Sequence, residues 1–574
     1  MFKPNTLFYS DGYKIGHKRM LAPGTDYLYG TWIPRSTKHA PKGITKIVSY
    51  GQQLTMRWLH DEFKENFFAL DKEDAMQFAS DMSLYLGLEF DGDHFGDLHD
   101  LGYLPIRVKA LTEGIQTGTN IPHMTFINTK GGFAWLTLYL ETIISSLAWK
   151  PSTSATIALQ YRKRVTEWVL KTDPAQAFLI PFMCHDFSAR GLSPWDMLSS
   201  GLGHATSFRG SDSIICIPGA RYFYDEPKNE VAINSVNASE HSVSTTKIFT
   251  VGESQMLTDW IDLFPIGILS VVSDTFDLWT LITKYLPENK EAIMNRDGKL
   301  VIRPDSGDPV DIICGIPVVD SGYKGEDLET WKEWVADTLD DIFRENLNAE
   351  EPHHSEEATF SFNGQLFNVE YTPDLNRHDK TYYYVDNYGS TVSKCTFTEI
   401  EATPERKGVI QLLWEIFGGT VNEQGYKVLD SHIGAIYGDS ITLERQQQMY
   451  ERLAANGFAS TNIVLGVGSY TYQMNTRDTL GFAAKGAWFS VTHPDGSVTE
   501  HDIFKDPITD DGTKKSLKGR VMVFINNNGE YKVKTECTQE EEIQGELHTI
   551  YEDGEFYNPT TFQQVRDRIN LLVS

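Results

Sequence analysis

Leu300-Val301-Ile302-Arg303-Pro304-Asp305-Ser306-Gly307-Asp308-Pro309 opens as a β-branched apolar run and then breaks into charge, proline and glycine. The apolar half has the composition of a parallel strand buried on both faces. Pro304 has no N–H and Gly307 tolerates positive φ, so the chain turns where the charges begin. A cation and a carboxylate are thereby held at the carboxyl end of a buried strand, the end at which open sheets and α/β barrels bind ligands. Taken alone, the segment reads equally well as a strand end with a surface ion pair.

Four further segments repeat the pattern. Ala177–Phe182 runs into His185-Asp186-Phe187-Ser188-Ala189-Arg190-Gly191, and Ile266–Val272 runs into Ser273-Asp274-Thr275-Phe276-Asp277. Ile433–Tyr437 runs into Gly438-Asp439-Ser440, and Ile463–Leu465 into Gly466-Val467-Gly468-Ser469. Apolar strand, polar end, then helical pattern predicts a parallel α/β sheet whose polar ends share one site.

Composition limits the rest. A chain of 574 residues predicts several domains, or fewer if one is a barrel. A net charge of −28 argues against non-specific binding to nucleic acid or anionic membrane. No apolar run is long enough for a transmembrane helix, and the first residues lack the apolar core of a signal peptide. The five cysteines are widely spaced and odd in number, which predicts reduced thiols in a cytoplasmic protein.

Residues 1–150 mix short strands and helices, and βα alternation occupies 151–310 and resumes over 408–484. Residues 311–407 read as an inserted module. It has an amphipathic helix with Trp331, Trp334 and Val335 on one face, then a hairpin signalled by Asn363-Gly364. Residues 485–574 are rich in hairpins.

There is no P-loop, no complete dinucleotide fingerprint and no zinc spacing. The polar strand ends supply Arg190 and Arg303 with Asp212, Asp277, Asp305 and Asp439; Arg477, Lys485 and Lys505 follow. Cations suit phosphates, and carboxylates suit ribose hydroxyls or Mg²⁺, so the mixture points to a phosphorylated sugar.

Nine collinear motifs then resemble the nicotinamide phosphoribosyltransferases, type II phosphoribosyltransferases. They are Asp11-Gly12-Tyr13-Lys14, His185 to Gly191, Phe208-Arg209-Gly210-Ser211-Asp212, Glu240-His241-Ser242, Val272 to Asp277, Ile302 to Gly307, Tyr437-Gly438-Asp439, Thr476-Arg477-Asp478 and Phe504-Lys505-Asp506-Pro507. The resemblance implies an irregular (β/α) barrel plus a mixed α/β sandwich domain built from both chain ends. It further implies a homodimer with sites at the subunit interface, and transfer of phosphoribosyl from 5-phosphoribosyl-1-pyrophosphate to nicotinamide.

Carried across, Phe187 and a partner-subunit Tyr13 would stack on the pyridine ring, and Asp212 would accept from the carboxamide while repelling nicotinate. Arg303 would sit over the reacting pair. Asp277, Asp305 and Asp439 would hold ribose and metal, with Ser273 among the substrate contacts. Arg190 with Gly468 and Ser469 would take the 5-phosphate; Arg35, Arg477, Lys485 and Lys505 would take pyrophosphate with its Mg²⁺. His241, assisted by Glu240, would be phosphorylated by ATP, a coupling co-substrate. A nicotinate phosphoribosyltransferase, a non-catalytic binding or signalling relative and a barrel glycosidase are the rivals; the last leaves the cations unexplained.

Overall fold

Six strands lie parallel in the order Cys184–Asp186, Ile463–Val467, Ile433–Tyr437, Asp297–Arg303, Ile266–Val272, Asn237–Ala238. Single parallel bridges, Asp186 to Ser211 and Gly210 to Asn234, carry the sheet onward from its first edge. Asn234 lies three residues before the strand at the other edge, so the ring closes through the segment 234–238 and forms an irregular barrel. The chain is described here by a computed structural model over residues 3–336, 356–372, 394–438, 440–505 and 516–573. Asp439 lies outside the described residues.

The decisive strand behaves as its composition requires: Leu300 and Ile302 are fully buried, and Arg303 closes the ladder against Val272. One segment differs from expectation. Ala177–Phe182 is no strand but part of a 3₁₀ helix, Pro174–Phe182, and the strand is the short Cys184–Asp186. Pro181 cannot donate to a ladder, whereas proline at the first position favours a helical turn.

A second, seven-stranded sheet has the order Val498–Asp502, Ala483–Thr492, Thr25–Ile33, Met124–Asn128, Ile106–Ala110, His548–Glu552, Glu555–Phe556. Its strands come from both ends of the chain. Ile106, Val108 and Ala110 point into the core and alternate with the half-exposed Arg107 and Lys109. Helix Glu141–Thr172 joins the two sheets and runs unbroken across the expected boundary at residue 150.

The insertion carries its own four-stranded sheet, Val318–Val319, Glu356–Phe362, Gln365–Thr372 and Lys394–Ile400, packed around Trp331, Val335, Phe360, Phe367 and Val369. Asn363 and Gly364 take positive φ at the hairpin, as a primed turn demands. It enters and leaves the barrel at Gly315 and Gly408, both at positive φ, whose backbones leave no room for a Cβ on either. The amide of Ile316 donates to the Arg406 carbonyl at 3.2 Å.

Two core imidazoles set an acid limit. Burial pushes His94 and His123 down from 6.5 to about 3. The unfolded chain therefore binds more protons than the folded one between those values, so stability falls as pH drops below about 6.5. Each group costs ~1.4 kcal/mol per pH unit. The urea midpoint is expected to fall between pH 7 and 5, and less steeply in His123→Asn; equal slopes would refute the role of His123.

Candidate active site

The carboxyl ends of the barrel strands form a mouth with two chemically distinct parts. The first is a wall made by Cys184–Asp186 and the segment beside it. His185 Nε2 lies 2.9 Å from Asp212 Oδ1, and Ser235 Oγ donates to the same oxygen at 2.5 Å. The Phe187 ring lies 4.6 Å from the His185 ring at 33°. Burial alone would raise the Asp212 carboxyl; the hydrogen bond and charge of His185, with Ser235 and Arg303, hold it below its ordinary value instead. An aromatic ring and an ionised carboxylate thus share one wall. Arg190 is exposed on the next turn, whose Gly191 packs too closely on Ser469 to admit a side chain. That contact brings the turn to Gly468 and Ser469, where strand Ile463–Val467 passes into a short helix.

The second part is a charge cluster. His241 Nε2 lies 3.7 Å from Asp274 Oδ1 and 3.8 Å from Asp305 Oδ2, while its Nδ1 lies 3.3 Å from Thr275 Oγ1. Asp274 Oδ2 accepts from the Asp305 amide at 2.9 Å and from Ser306 Oγ at 2.5 Å. Arg303 Nη2 donates to the Ser239 carbonyl. Burial pushes the Arg303 guanidinium down, against the attraction of Asp305, Asp212 and Asp274. Arg303 Nε and Asp274 Oδ1 are buried without a hydrogen-bond partner among the described residues, which marks them as groups that a ligand can satisfy. Glu240 is exposed and directly precedes helix His241–Val251.

Two expected residues face elsewhere. Asp277 caps its own helix, accepting from the amides of Trp279 and Thr280 at 3.0 and 3.1 Å and from Thr280 Oγ1 at 2.6 Å. Asp274, three residues earlier, is the carboxylate that meets His241. Ser273 is fully buried; its Oγ donates to the Val271 carbonyl at 2.7 Å and accepts from the Arg303 amide at 3.1 Å, so it supports Arg303 from behind.

The remaining cations gather on the seven-stranded sheet. Arg35, Lys485 and Lys505 line one cavity of about 190 Å³ with Thr31, Asn120 and Ser516. Arg35 Nε donates to the Gly481 carbonyl at 3.1 Å, which ties it to the turn carrying Arg477. Glu141 accepts from Lys485 at 3.3 Å and from the buried Lys14 at 2.9 Å. Thr142 Oγ1 donates to Asp11 at 2.5 Å. Between those two anchors Tyr13 stands out, 66% exposed. No hydrogen bond or ion pair among the described residues links this group to the barrel mouth.

Among the described residues no three His, Cys, Asp or Glu lie close enough to cage a metal. The fit for Mg²⁺ is therefore partial: Asp274 and Asp305 offer oxygens, and a bound phosphate must supply others.

Residues 182–358 and 390–555 match the model of the nicotinate phosphoribosyltransferase (NAPRTase) family. The chain belongs to that family. The nicotinamide phosphoribosyltransferase of Acinetobacter baylyi is 36% identical over 99% of this chain and 97% of its own length. That of Mycoplasma pneumoniae is 28% identical over 91% of this chain and 96% of its own. The crystal structure of human nicotinic acid phosphoribosyltransferase aligns with 98% of this chain and 93% of its own at 13% identity and TM-score 0.47.

In this phosphoribosyltransferase three contributors escaped sequence reasoning: Asp274, His185 and Glu141. The first two stand inside quoted motifs, but nothing local separates Asp274 from Asp277. Glu141 lies on a helix with no motif, and only tertiary contact brings it to Lys14 and Lys485.

Proposed function

We propose that this phosphoribosyltransferase joins nicotinamide to 5-phosphoribosyl-1-pyrophosphate, giving nicotinamide mononucleotide and pyrophosphate. The observation that carries the choice of base is the ionised Asp212 beside the Phe187 ring. A carboxylate accepts from a carboxamide N–H and repels the carboxylate of nicotinate. The names of the curated relatives agree.

The charges divide the work. Arg190 and the turn at Gly468 and Ser469 take the 5-phosphate, while Arg303 and Asp305 face the sugar. Displacement at the anomeric carbon builds positive charge on the sugar and negative charge on the departing pyrophosphate. Fixed carboxylates favour the first; Arg35, Arg477, Lys485 and Lys505 favour the second. Mg²⁺ bound to the pyrophosphate oxygens would neutralise leaving-group charge. Among the described residues no hydrogen bond or ion pair ties the exposed Tyr13 or the cationic cavity to the barrel mouth of their own chain, which fits a homodimer in which a second copy supplies both. Buried thiols at Cys184, Cys216 and Cys314 suit the cytoplasm.

His241 stands beside two carboxylates and is half-exposed, which suits an imidazole phosphorylated by ATP with Glu240 nearby. The test is mononucleotide formation from nicotinamide or nicotinate, each with and without ATP. Nicotinamide is expected to react and ATP to raise the yield; His241→Asn keeps the basal reaction and loses the ATP effect. Product from nicotinate alone would overturn the base assignment, and an ATP effect that survives in His241→Asn would overturn the phosphohistidine.

A further inference from the structure

Asp186 takes no part in the chemistry above, yet it is fully buried between the two residues that face the base. Its Oδ1 accepts from the Ser188 amide at 2.9 Å, and its Oδ2 accepts from Ser213 Oγ at 2.7 Å and Ser211 Oγ at 3.1 Å. Its backbone repeats the connection: the Asp186 amide donates to the Gly210 carbonyl at 3.1 Å, and the Asp212 amide donates to the Asp186 carbonyl at 3.0 Å. Phe187 is thus bracketed by Asp186 and Ser188, and Asp212 by Ser211 and Ser213. One carboxylate holds both brackets.

No cation pairs with Asp186 among the described residues. The titratable side chains on which its charge acts include His204, Cys216 and Tyr472. His204, from helix Pro194–Ala205, is engaged by Tyr472 at 2.7 Å and the Gly210 carbonyl at 3.1 Å, and burial lowers its affinity for a proton. Burial likewise keeps the Cys216 thiol and the Tyr472 hydroxyl protonated. A buried carboxyl group with no cation beside it among the described residues is a costly way to join two loops, and the three donors that converge on it offset that cost. Its distinctive result is a fixed spacing between an aromatic face and the Asp212 carboxylate.

We propose that Asp186 is a positioning residue for the base: through Ser188 on one side and Ser211 and Ser213 on the other, it sets the distance from the Phe187 ring to the Asp212 carboxylate and thereby the fit for a flat ring bearing a carboxamide. This rests on the nicotinamide reading. The residue acts through its neighbours, so its loss falls on the base and not on the phosphoribosyl donor.

The test compares Asp186→Asn, Ser213→Ala and the double variant with wild type in steady-state rates. The KM of nicotinamide, the KM of phosphoribosyl pyrophosphate, kcat and the nicotinamide-to-nicotinate preference are measured, with Tm recorded for each protein. Ser213→Ala removes one hydrogen bond to a charged acceptor and is expected to raise the nicotinamide KM about tenfold, with kcat and the donor KM unchanged. Asp186→Asn raises it further and weakens the preference over nicotinate. The double variant adds nothing to Asp186→Asn, because Ser213 acts through Asp186. If Asp186→Asn does not fold, Ser213→Ala carries the test. A folded variant with wild-type nicotinamide KM and preference, or one in which both substrates suffer alike, overturns the positioning role alone. A wild type that turns over neither base overturns the functional reading and the positioning role with it.

Discussion

Arg303→Lys is expected to lower kcat/KM for phosphoribosyl transfer by about 10²–10³, the usual cost of losing one preorganised donor at a developing charge. Lysine keeps the positive charge but loses the planar fork. In this mouth the fork has defined tasks: one arm is fixed on the Ser239 carbonyl, and the buried Nε–H has no hydrogen-bond partner among the described residues. Burial lowers the guanidinium's proton affinity without neutralising it, so the charge survives at every working pH. An ammonium on a flexible stem keeps the charge but lacks the rigid planar fork that holds one arm on Ser239 while Nε–H stays aligned for a ligand. Rates at saturating and limiting donor, with Tm as a control, decide the matter. A lysine variant retaining more than about a tenth of the activity would show that charge alone suffices and that the fork is incidental.

Asp212→Asn is expected to shrink the preference for nicotinamide over nicotinate by about 10²-fold, the scale of one like-charge repulsion in a half-buried site. The substitution preserves shape, and the side-chain oxygen can still accept from Ser235 and His185. What disappears is the negative charge. The environment holds the Asp212 carboxyl below its ordinary 3.8, so the carboxyl itself stays ionised from pH 8 down to 5. The measurement is the ratio of kcat/KM for the two bases in both proteins. An unchanged ratio would place the selectivity elsewhere, and the nicotinate reading would then regain its standing.

The longer parallel strands were legible because burial demands apolar runs, as in Ile433–Tyr437, which is buried throughout, although Ile266 and Ile268 stand exposed at the start of Ile266–Val272. Cys184–Asp186 was not, because a three-residue strand has no periodicity and exists through its neighbours, Leu465–Val467 on one side and Ser211 on the other. Barrel closure through single bridges at Ser211 and Asn234 has no signal in composition at all. The candidate site was legible as motifs, and motifs name segments more reliably than atoms. Asp274 and Asp277 occupy one motif with identical side chains; only the fold decides that one meets His241 and the other caps a helix. Asp186 was visible within its motif, but its task depends on serines met twenty-five and twenty-seven residues later.

The two glycines at which the insertion leaves and rejoins the barrel have a meaning for descent. Because the backbones of Gly315 and Gly408 touch, the barrel meets residues 316–407 as if they were one tight turn. Closing a loop costs little more for a long chain than for a short one, and least when the excursion has a core of its own, as this one does around Trp331. An ancestor could therefore acquire, exchange or lose the whole module by recombination between these two codons without redrawing the barrel mouth.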